Sequence, residues 1–114
     1  MDALDKSVCL RLGLNPEPPL PGSILGFAKQ TLGKHPVNGL RHPSEADTNG
    51  WFVWCGDWSD GDEFFEPLHV EHMKDYLPHI IKYLDLPPGY RFLIDEAGYE
   101  DIWYDESLMN IGPG

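Results

Sequence analysis

The run WFVWCG, near the middle of the chain, limits the possible folds more than any other part of the sequence. Successive side chains of an extended strand point to opposite faces, so Trp51, Val53 and Cys55 would share one face. Phe52 and Trp54 would share the other. Both faces would be apolar, and a strand of this kind needs cover on both sides. The sequence therefore predicts a central strand of a sheet.

A periodic apolar stripe interrupted by proline follows in LHVEHMKDYLPHIIKYLDLPPG. Its apolar residues recur at three- and four-residue steps, which is the helical spacing. They are Val70, Met73, Leu77, Ile80, Ile81 and Leu84. Pro78 would cost a helix interior about 3 kcal/mol, but a first helical turn tolerates it. We therefore predict a short helix, a break near Tyr76–Leu77, and a second helix through about Leu84 that PPG ends.

Two extended segments come next, YRFLID over residues 90–95 and EDIWYD over residues 100–105. A short loop with a glycine joins them, which predicts an antiparallel hairpin. We expect this hairpin to join the sheet that contains WFVWCG. A strand, then helices, then a hairpin in one small chain is typical of the α+β class. The prediction is a single α+β domain over residues 1–114, with a mainly antiparallel sheet and helices packed on one face.

Residues 1–48 form the less regular portion of that domain. SVCLRLGL is compatible with a strand, and GSILGFAKQTLGK carries Ile24, Phe27 and Leu32 in a loosely helical pattern. HPVNGLRHPSEADTNG is rich in turn-forming residues, so we expect a loop with room for one short strand. NPEPPLPG holds four prolines, which lack the N–H donor and fix φ. It is therefore interpreted as an extended connector ordered against the body.

Negative charge is concentrated in the second half of the chain. The sequence has 19 acidic and 8 basic residues, a formal net charge of -11. Residues 1–56 hold five of each, so residues 57–114 carry the remaining 14 acidic and three basic residues. Such a field repels nucleic acid and anionic membranes and attracts basic proteins. An excess of acid also keeps an ordinary protein in solution, so charge by itself does not fix the function.

The cysteines and the short length of the apolar runs indicate the cellular compartment of the protein. Cys9 and Cys55 lie far apart without CxxC spacing, which is typical of buried, reduced thiols. No apolar run approaches the roughly 20 residues of a membrane helix, and the first residues lack a secretion signal. We expect a cytoplasmic protein, a monomer or weak dimer, with neither nucleic acid nor membrane as a partner.

The sequence contains only weak signals of an enzyme active site. His69 and His72 have the spacing of a helical zinc pair with Glu71 between them, but the motif is not HExxH and no third ligand stands at a recognisable distance. Asp101 and Asp105 could share a cleft, yet they lie in a dense acidic field. We expect no enzyme and no cofactor. A small metal-dependent hydrolase that uses His69 and His72 with nearby carboxylates is the alternative.

A recognition surface is the better interpretation of the acidic, aromatic segments. Strand periodicity places Asp101, Trp103 and Asp105 on one face, while Ile102 and Tyr104 face the core. Tryptophan supplies contact area at interfaces and carboxylates steer a basic partner. The loop DWSDGDEFFEP repeats this mixture. The predicted partner-binding residues are Asp57, Trp58, Asp60, Asp62, Glu63, Glu66, Asp101, Trp103, Asp105 and Glu106.

Residues 49–111 resemble a known family. The segments GWFVWCGD, LPPGYRFL and YEDIWYDESL are the most distinctive. They resemble bacterial immunity proteins of polymorphic toxin systems, specifically the family numbered thirty-three among them. The resemblance implies a small cytoplasmic protein that binds and blocks a cognate protein toxin, with no cofactor and no catalytic residues. A structural domain that self-associates is a further hypothesis from a different class.

Overall fold

The computed structural model describes residues 8–59, 61 and 63–109 and contains one six-stranded sheet with short helices. The elements are α1 (Cys9–Leu12), β1 (Ile24–Phe27), a 3₁₀ helix (Lys29–Thr31), β2 (Val37–Arg41), β3 (Thr48–Cys55), β4 (Glu66–His69), a 3₁₀ helix (Val70–His72), α2 (Met73–Tyr76), a 3₁₀ helix (Pro78–Tyr83), β5 (Tyr90–Ile94), β6 (Glu100–Tyr104) and a 3₁₀ helix (Glu106–Met109). The strand order is β4-β1-β3-β2-β5-β6. The β1–β3 pair is parallel and the other pairs are antiparallel. The predicted α+β class is confirmed.

β3 lies inside the sheet between β1 and β2, as its two apolar faces predict. Trp51, Val53 and Cys55 enter the main core, which the helices cover. Trp54 belongs to a second cluster on the opposite face, and Phe52 packs against it. The alternation read from the sequence is confirmed.

The helices pack on one face of the sheet and close the main core. Their buried residues are Met73, Leu77, Ile80, Tyr83 and Leu84. The predicted break falls at Leu77, whose φ of -138° is not helical, and Pro78 begins the next helix. That second helix is of the 3₁₀ type, and its first-turn proline needs no donor. The break and the later helix are confirmed.

The prediction of a strand in SVCLRLGL is wrong. Cys9–Leu12 is one helical turn, and Gly13 ends it in the left-handed region with φ 72°. The consecutive residues Val8 and Cys9 are both buried while Leu10 is 68% exposed. Burial of neighbours along the chain excludes the alternation that a half-buried strand requires.

The helical expectation for GSILGFAKQTLGK is also wrong. Ile24–Phe27 is a strand, paired with β3 on one side and β4 on the other. Leu25 and Phe27 point into the main core, which is a period of two rather than 3.6. Downstream, the short strand expected in residues 35–50 is confirmed as β2, which lies between β3 and β5.

The proline-rich connector is held against the body, as expected. The Glu17 N–H donates to the Asp85 carbonyl at 2.7 Å. The guanidinium of buried Arg41 donates to the Glu17 carbonyl at 2.6 Å and to the Leu86 carbonyl at 2.8 Å. Its Nε donates to the Asn49 carbonyl at 2.9 Å. One side chain thus joins the connector, the sheet and the helical layer.

The two cysteines are buried and no disulfide joins them, as the spacing indicated. The Cys9 thiol donates to the Asp85 carbonyl at 3.4 Å. Burial, the largest influence, raises the pKa of the Cys55 thiol, so this sulfur stays protonated and inert. Across the described part of the chain, no helix has the length and apolar character needed to cross a membrane.

Candidate functional site

The sheet has two unlike faces, and the candidate site lies on the one that the main helical layer leaves uncovered. Directly paired residues share a face, so Leu40 lies on the same side as its partners Phe52 and Arg91. We call this side the open face. Its strand residues are Gly26, Asn38, Leu40, Phe52, Trp54, Arg91, Leu93, Asp101 and Trp103. Part of it is covered by the loop between β3 and β4 and by Leu108 from the last 3₁₀ helix.

Five aromatic side chains form a cluster on the open face. This aromatic cluster consists of Phe52, Trp54, Trp58, Phe64 and Phe65. The Trp58 ring lies 5.0 Å from that of Trp54 and 5.4 Å from that of Phe65, between ring centroids. Such tilted contacts stabilise by about 0.5–1.5 kcal/mol per pair beyond the buried area. They explain why an acidic loop carries three aromatics: these hold the loop on the sheet. Trp58 stays 51% exposed.

Two adjacent cavities open on this face. The first, of about 240 Å³, is almost entirely apolar and is lined by Ile24, Gly26 and Pro67 among others. The second, of about 260 Å³, lies under Trp58. Both cavities share Phe52 and Phe65 as walls. The T-shaped Phe52–Phe65 pair thus separates two neighbouring cavities.

His42 is one of the residues that line the second cavity. Its ring lies edge-on to Phe52, with 5.7 Å between ring centroids. Its Nδ1 is 3.0 Å from the Leu108 carbonyl oxygen. A carbonyl oxygen can only accept, so Nδ1 carries the hydrogen. In the neutral ring Nε2 is then an acceptor, and it has no hydrogen-bond partner among the described residues.

The strand β6 places its residues on the two faces that the sequence predicts, but of the two predicted core residues only Ile102 packs against the core. Ile102 packs against the main core, and Tyr104 packs edge-on to Tyr90, with 5.3 Å between centroids, while 51% exposed. Trp103 is half-buried on the open face. The Arg91 guanidinium lies 5.3 Å from the centre of its ring. Trp103 is thus partly covered by a cation from the neighbouring strand.

Asp105 is tied to its neighbours. It accepts from the Ser107 N–H at 3.0 Å and from the Ser107 hydroxyl at 2.6 Å, and Arg91 donates to it at 3.0 Å. The Ser107 hydroxyl and then Arg91 hold the pKa of Asp105 below its usual value. Asp105 therefore keeps Arg91 over Trp103 and offers less free charge than its sequence position suggested.

Five of the other predicted acids are exposed and have no hydrogen bond or ion pair within the described part of the chain. They are Asp57, Glu63, Glu66, Asp101 and Glu106. Asp57 and Glu63 lie in the loop that carries the aromatic cluster, and Asp101 lies at the opposite edge of the same face. The predicted residues Asp60 and Asp62 lie outside the described residues. Two segments 35 or more residues apart in sequence thus contribute to one face.

Histidine geometry gives no support to the hydrolase alternative. His69 ends β4 and His72 ends the following 3₁₀ helix, so they do not share a helix face. Their ring centroids are 6.3 Å apart, and His72 Nδ1 lies 3.7 Å from Asp75. Among residues 8–59, 61 and 63–109, no three His, Cys, Asp or Glu side chains are grouped to hold a metal ion.

Sequence reasoning missed three residues of this face. Phe52 and His42 line the second cavity but were not assigned to a binding surface, and Phe65, in the assigned loop, was not among the named binding residues. The outward side of WFVWCG carried the signal for Phe52, because a second apolar face needs a covering layer. For His42 the sequence holds no such signal, since its partner Leu108 is 66 residues away.

Comparison with known proteins identifies a family. A family model described as Imm33-like domain matches residues 4–105. No match was found among curated proteins or among solved structures. The matched range includes the connector, β1 and β2, which lie outside the segment that carries the sequence resemblance.

Proposed function

The chain belongs to the Imm33-like family, and from this premise we propose that it is an immunity protein that neutralises a basic toxin by direct contact through its open face. An immunity protein of this family acts by binding a toxin. Beyond the family, we propose the surface that binds, its chemistry and the basic charge of the toxin.

The observation that carries the proposal is the contrast between acids that have partners inside the fold and open-face acids that have none in the described chain. On the helical side, Glu71 accepts from the Gly22 N–H at 2.5 Å, and Glu100 is paired with Arg11. The open-face acids Asp57, Glu63 and Asp101 are exposed and have no such partners in the described chain. Acids that bond within the fold stabilise the fold, whereas acids without internal partners are available to another molecule.

The aromatic cluster supplies apolar contact area, which surface carboxylates do not. Surface carboxylates steer a partner and raise the association rate above a neutral value of about 10⁵–10⁶ M⁻¹s⁻¹. Most of the binding energy at interfaces comes from a few large side chains near the centre, with tryptophan enriched among them. Trp58 and Trp103 are partly exposed on the open face, between the acids. A basic toxin surface, such as a cleft that binds phosphate, would meet both kinds of group.

The test is co-expression with the toxin encoded by the neighbouring gene. We expect the wild-type protein to protect cells and to bind the toxin in a pull-down. The double variant Glu63→Lys/Asp101→Lys should bind at least tenfold more weakly, because it reverses two open-face charges. The double variant Asp75→Lys/Glu96→Lys changes net charge equally at exposed positions on α2 and in the β5–β6 turn.

The matched control should bind like the wild type. If both variants bind the toxin equally weakly, the net charge of the protein determines binding and the position of the charges on the open face does not. Absence of both protection and binding with the wild-type protein would overturn the proposed function. Circular dichroism of each variant separates loss of binding from loss of folding.

A further inference from the structure

We propose that the cavity under Trp58 receives an arginine side chain of the toxin. This inference rests on the proposed function and specifies the partner's chemistry at one point of the open face. The cavity, here called the Trp58 pocket, holds about 260 Å³. Small-molecule sites are usually about 300–1,000 Å³, so this volume suits one inserted side chain better than a free ligand.

The walls of the Trp58 pocket are aromatic rings set at steep angles to each other. Phe65 makes 58° with Trp58 and 71° with Phe52, and both centroid distances are below 5.5 Å. Leu40 closes one side. Ring faces attract a cation, and tryptophan does so most strongly. An occupant with an aliphatic stem and a cationic end fits this lining.

His42 lines the Trp58 pocket, and in its neutral ring Nε2 is a hydrogen-bond acceptor. Its Nδ1–H is committed to the Leu108 carbonyl at 3.0 Å, so Nε2 is the ring nitrogen left for an occupant. A donor satisfies Nε2, whereas a carboxylate would repel its lone pair and an aliphatic side chain would leave it without a partner. The pocket therefore favours an occupant that donates N–H groups.

Acidic residues dominate the segments around the pocket. Asp57 and Glu63 lie in the loop that forms the pocket wall, and Glu106 lies on the turn that carries Leu108. Arg91, the cation of the neighbouring strands on this face, is already paired with Asp105 at 3.0 Å. Charge complementarity thus selects a cation from outside the chain.

Arginine fits better than lysine for two reasons. Its guanidinium is planar and weakly hydrated, so it stacks on aromatic rings at a lower desolvation cost. It also presents several N–H donors in one plane, so one can reach Nε2 while the plane lies along a ring. A lysine ammonium is a compact, strongly hydrated charge that gains less from the same walls.

The first experiment needs no toxin. The full-length protein is titrated with N-acetyl-arginine amide, N-acetyl-lysine amide and N-acetyl-leucine amide, and two-dimensional NMR follows the Trp58 indole N–H and the Gly61 amide. We expect saturable shifts with the arginine probe, with a Kd on the order of millimolar, and at least threefold weaker binding of the lysine probe. Equal binding of the leucine probe, or no shift with arginine, would overturn the proposal.

Substitutions then identify the residues that bind the arginine probe. Trp58→Ala and His42→Phe should abolish the shift that the arginine probe causes at the Gly61 amide, whereas Trp103→Ala, on the same face but outside the pocket, should leave it unchanged. The wild-type titration stands even where a variant fails to fold. Against the toxin, His42→Phe should raise Kd at least tenfold. A toxin that binds wild type and His42→Phe equally would overturn the pocket assignment while leaving the immunity function intact.

Discussion

At the residue scale, Arg41 shows how a buried charge can be held by neutral groups. It is 4% exposed, and the oxygens that accept from it are the carbonyls of four residues. Its guanidinium also lies 5.8 Å from the centre of the Trp51 ring. Burial, the largest influence, lowers the pKa of Arg41, although the side chain remains charged. The carbonyls replace the water that the cation has lost.

Replacing Arg41 should therefore destabilise the protein strongly. Arg41→Lys keeps the charge but cannot reach separate carbonyls with a planar fork. We expect both Arg41→Lys and Arg41→Met to lower the free energy of unfolding by about 3 kcal/mol in urea titrations, because carbonyls of the connector and of the helical layer lose their donor. Lys74→Met, at an exposed position of α2, is the control and should stay within about 0.5 kcal/mol of the wild type. A wild-type stability for Arg41→Lys would contradict this role.

Glu100 is a second residue whose contacts have a measurable consequence. It accepts from Arg11 at 2.9 and 3.0 Å and from the Tyr83 hydroxyl at 2.5 Å. Burial alone would raise the pKa of Glu100, but the hydrogen bonds from Arg11 and Tyr83 outweigh it, and the net pKa lies below the usual value. A lowered pKa in the folded state means that ionised Glu100 stabilises the fold at neutral pH.

The pH dependence follows from that sign. The contribution of Glu100 should be complete above its unfolded-state pKa of about 4.3 and should be lost as pH falls through the lower folded-state pKa. We expect Glu100→Gln to be less stable than the wild type by about 1 kcal/mol at pH 7, with the difference shrinking as pH falls below about 4. Urea unfolding of both proteins between pH 3 and 7 measures it. A difference that stays constant with pH would show that ionisation of Glu100 is irrelevant.

At the scale of elements, β2 depends on a glycine at its centre. Gly39 lies opposite Phe92 of β5, on the helical side. A Cβ at Gly39 would come within 3.0 Å of three atoms of the Phe92 ring, closer than real Cβ contacts. The ring of Phe92 thus occupies the space that a side chain at position 39 would need. It stacks there on Tyr83, with 4.7 Å between centroids.

Gly39→Ala should consequently disturb the whole sheet. We expect a loss of about 2–3 kcal/mol in the free energy of unfolding, since overpacking forces the Phe92 ring out of place. Gly61→Ala is the matched control, because its Cβ would meet nothing closer than the Ser59 hydroxyl at 3.5 Å. Thermal unfolding should shift for Gly39→Ala and remain unchanged for Gly61→Ala. Two equal shifts would mean that glycine flexibility matters and the Phe92 contact does not.

The elements also show what the sequence could reveal. The strand β3, the hairpin and the break before Pro78 follow from local rules: alternation, a glycine turn and a missing donor. The strand β1 does not, because Ile24 and Phe27 have helical spacing while the residues that reach the core are Leu25 and Phe27. Its partners β3 and β4 lie far along the chain, and pairing with them overrides local preference.

The candidate site was predictable in part for the same reason. Composition identified the acidic loop and the face of β6, because charge and period two are local properties. The joining of these segments on one face depends on strand order, which the local pattern does not contain. The pocket depends further on the hydrogen bond between His42 and Leu108, two residues brought together by the complete fold.

At the scale of the whole molecule, charge should govern how fast a partner arrives. The net charge of -11 and the unpaired acids of the open face produce a long-range field. Salt shortens its reach from about 10 Å at 0.1 M to about 3 Å at 1 M. The same charge should keep copies of the chain apart, so the monomer or weak dimer expected from the sequence stays a prediction for sedimentation at increasing concentration.

Association with the toxin should therefore slow as salt is added. We expect the association rate constant to fall by at least about tenfold between 0.05 and 0.5 M NaCl, while the dissociation rate constant changes less, because aromatic contacts are not screened. Stopped-flow tryptophan fluorescence measures both rates. A rate of association that does not depend on salt would remove steering from the proposed mechanism.

The alternation of β3 has a consequence for how such a protein can diversify. Neighbouring positions of β3 have different roles. Trp51 and Val53 pack in the main core, whereas Phe52 lies on the open face. A substitution at Phe52 can change the open face without altering the main core. Related proteins with this strand could therefore adapt to a changed toxin surface while they keep the same main core.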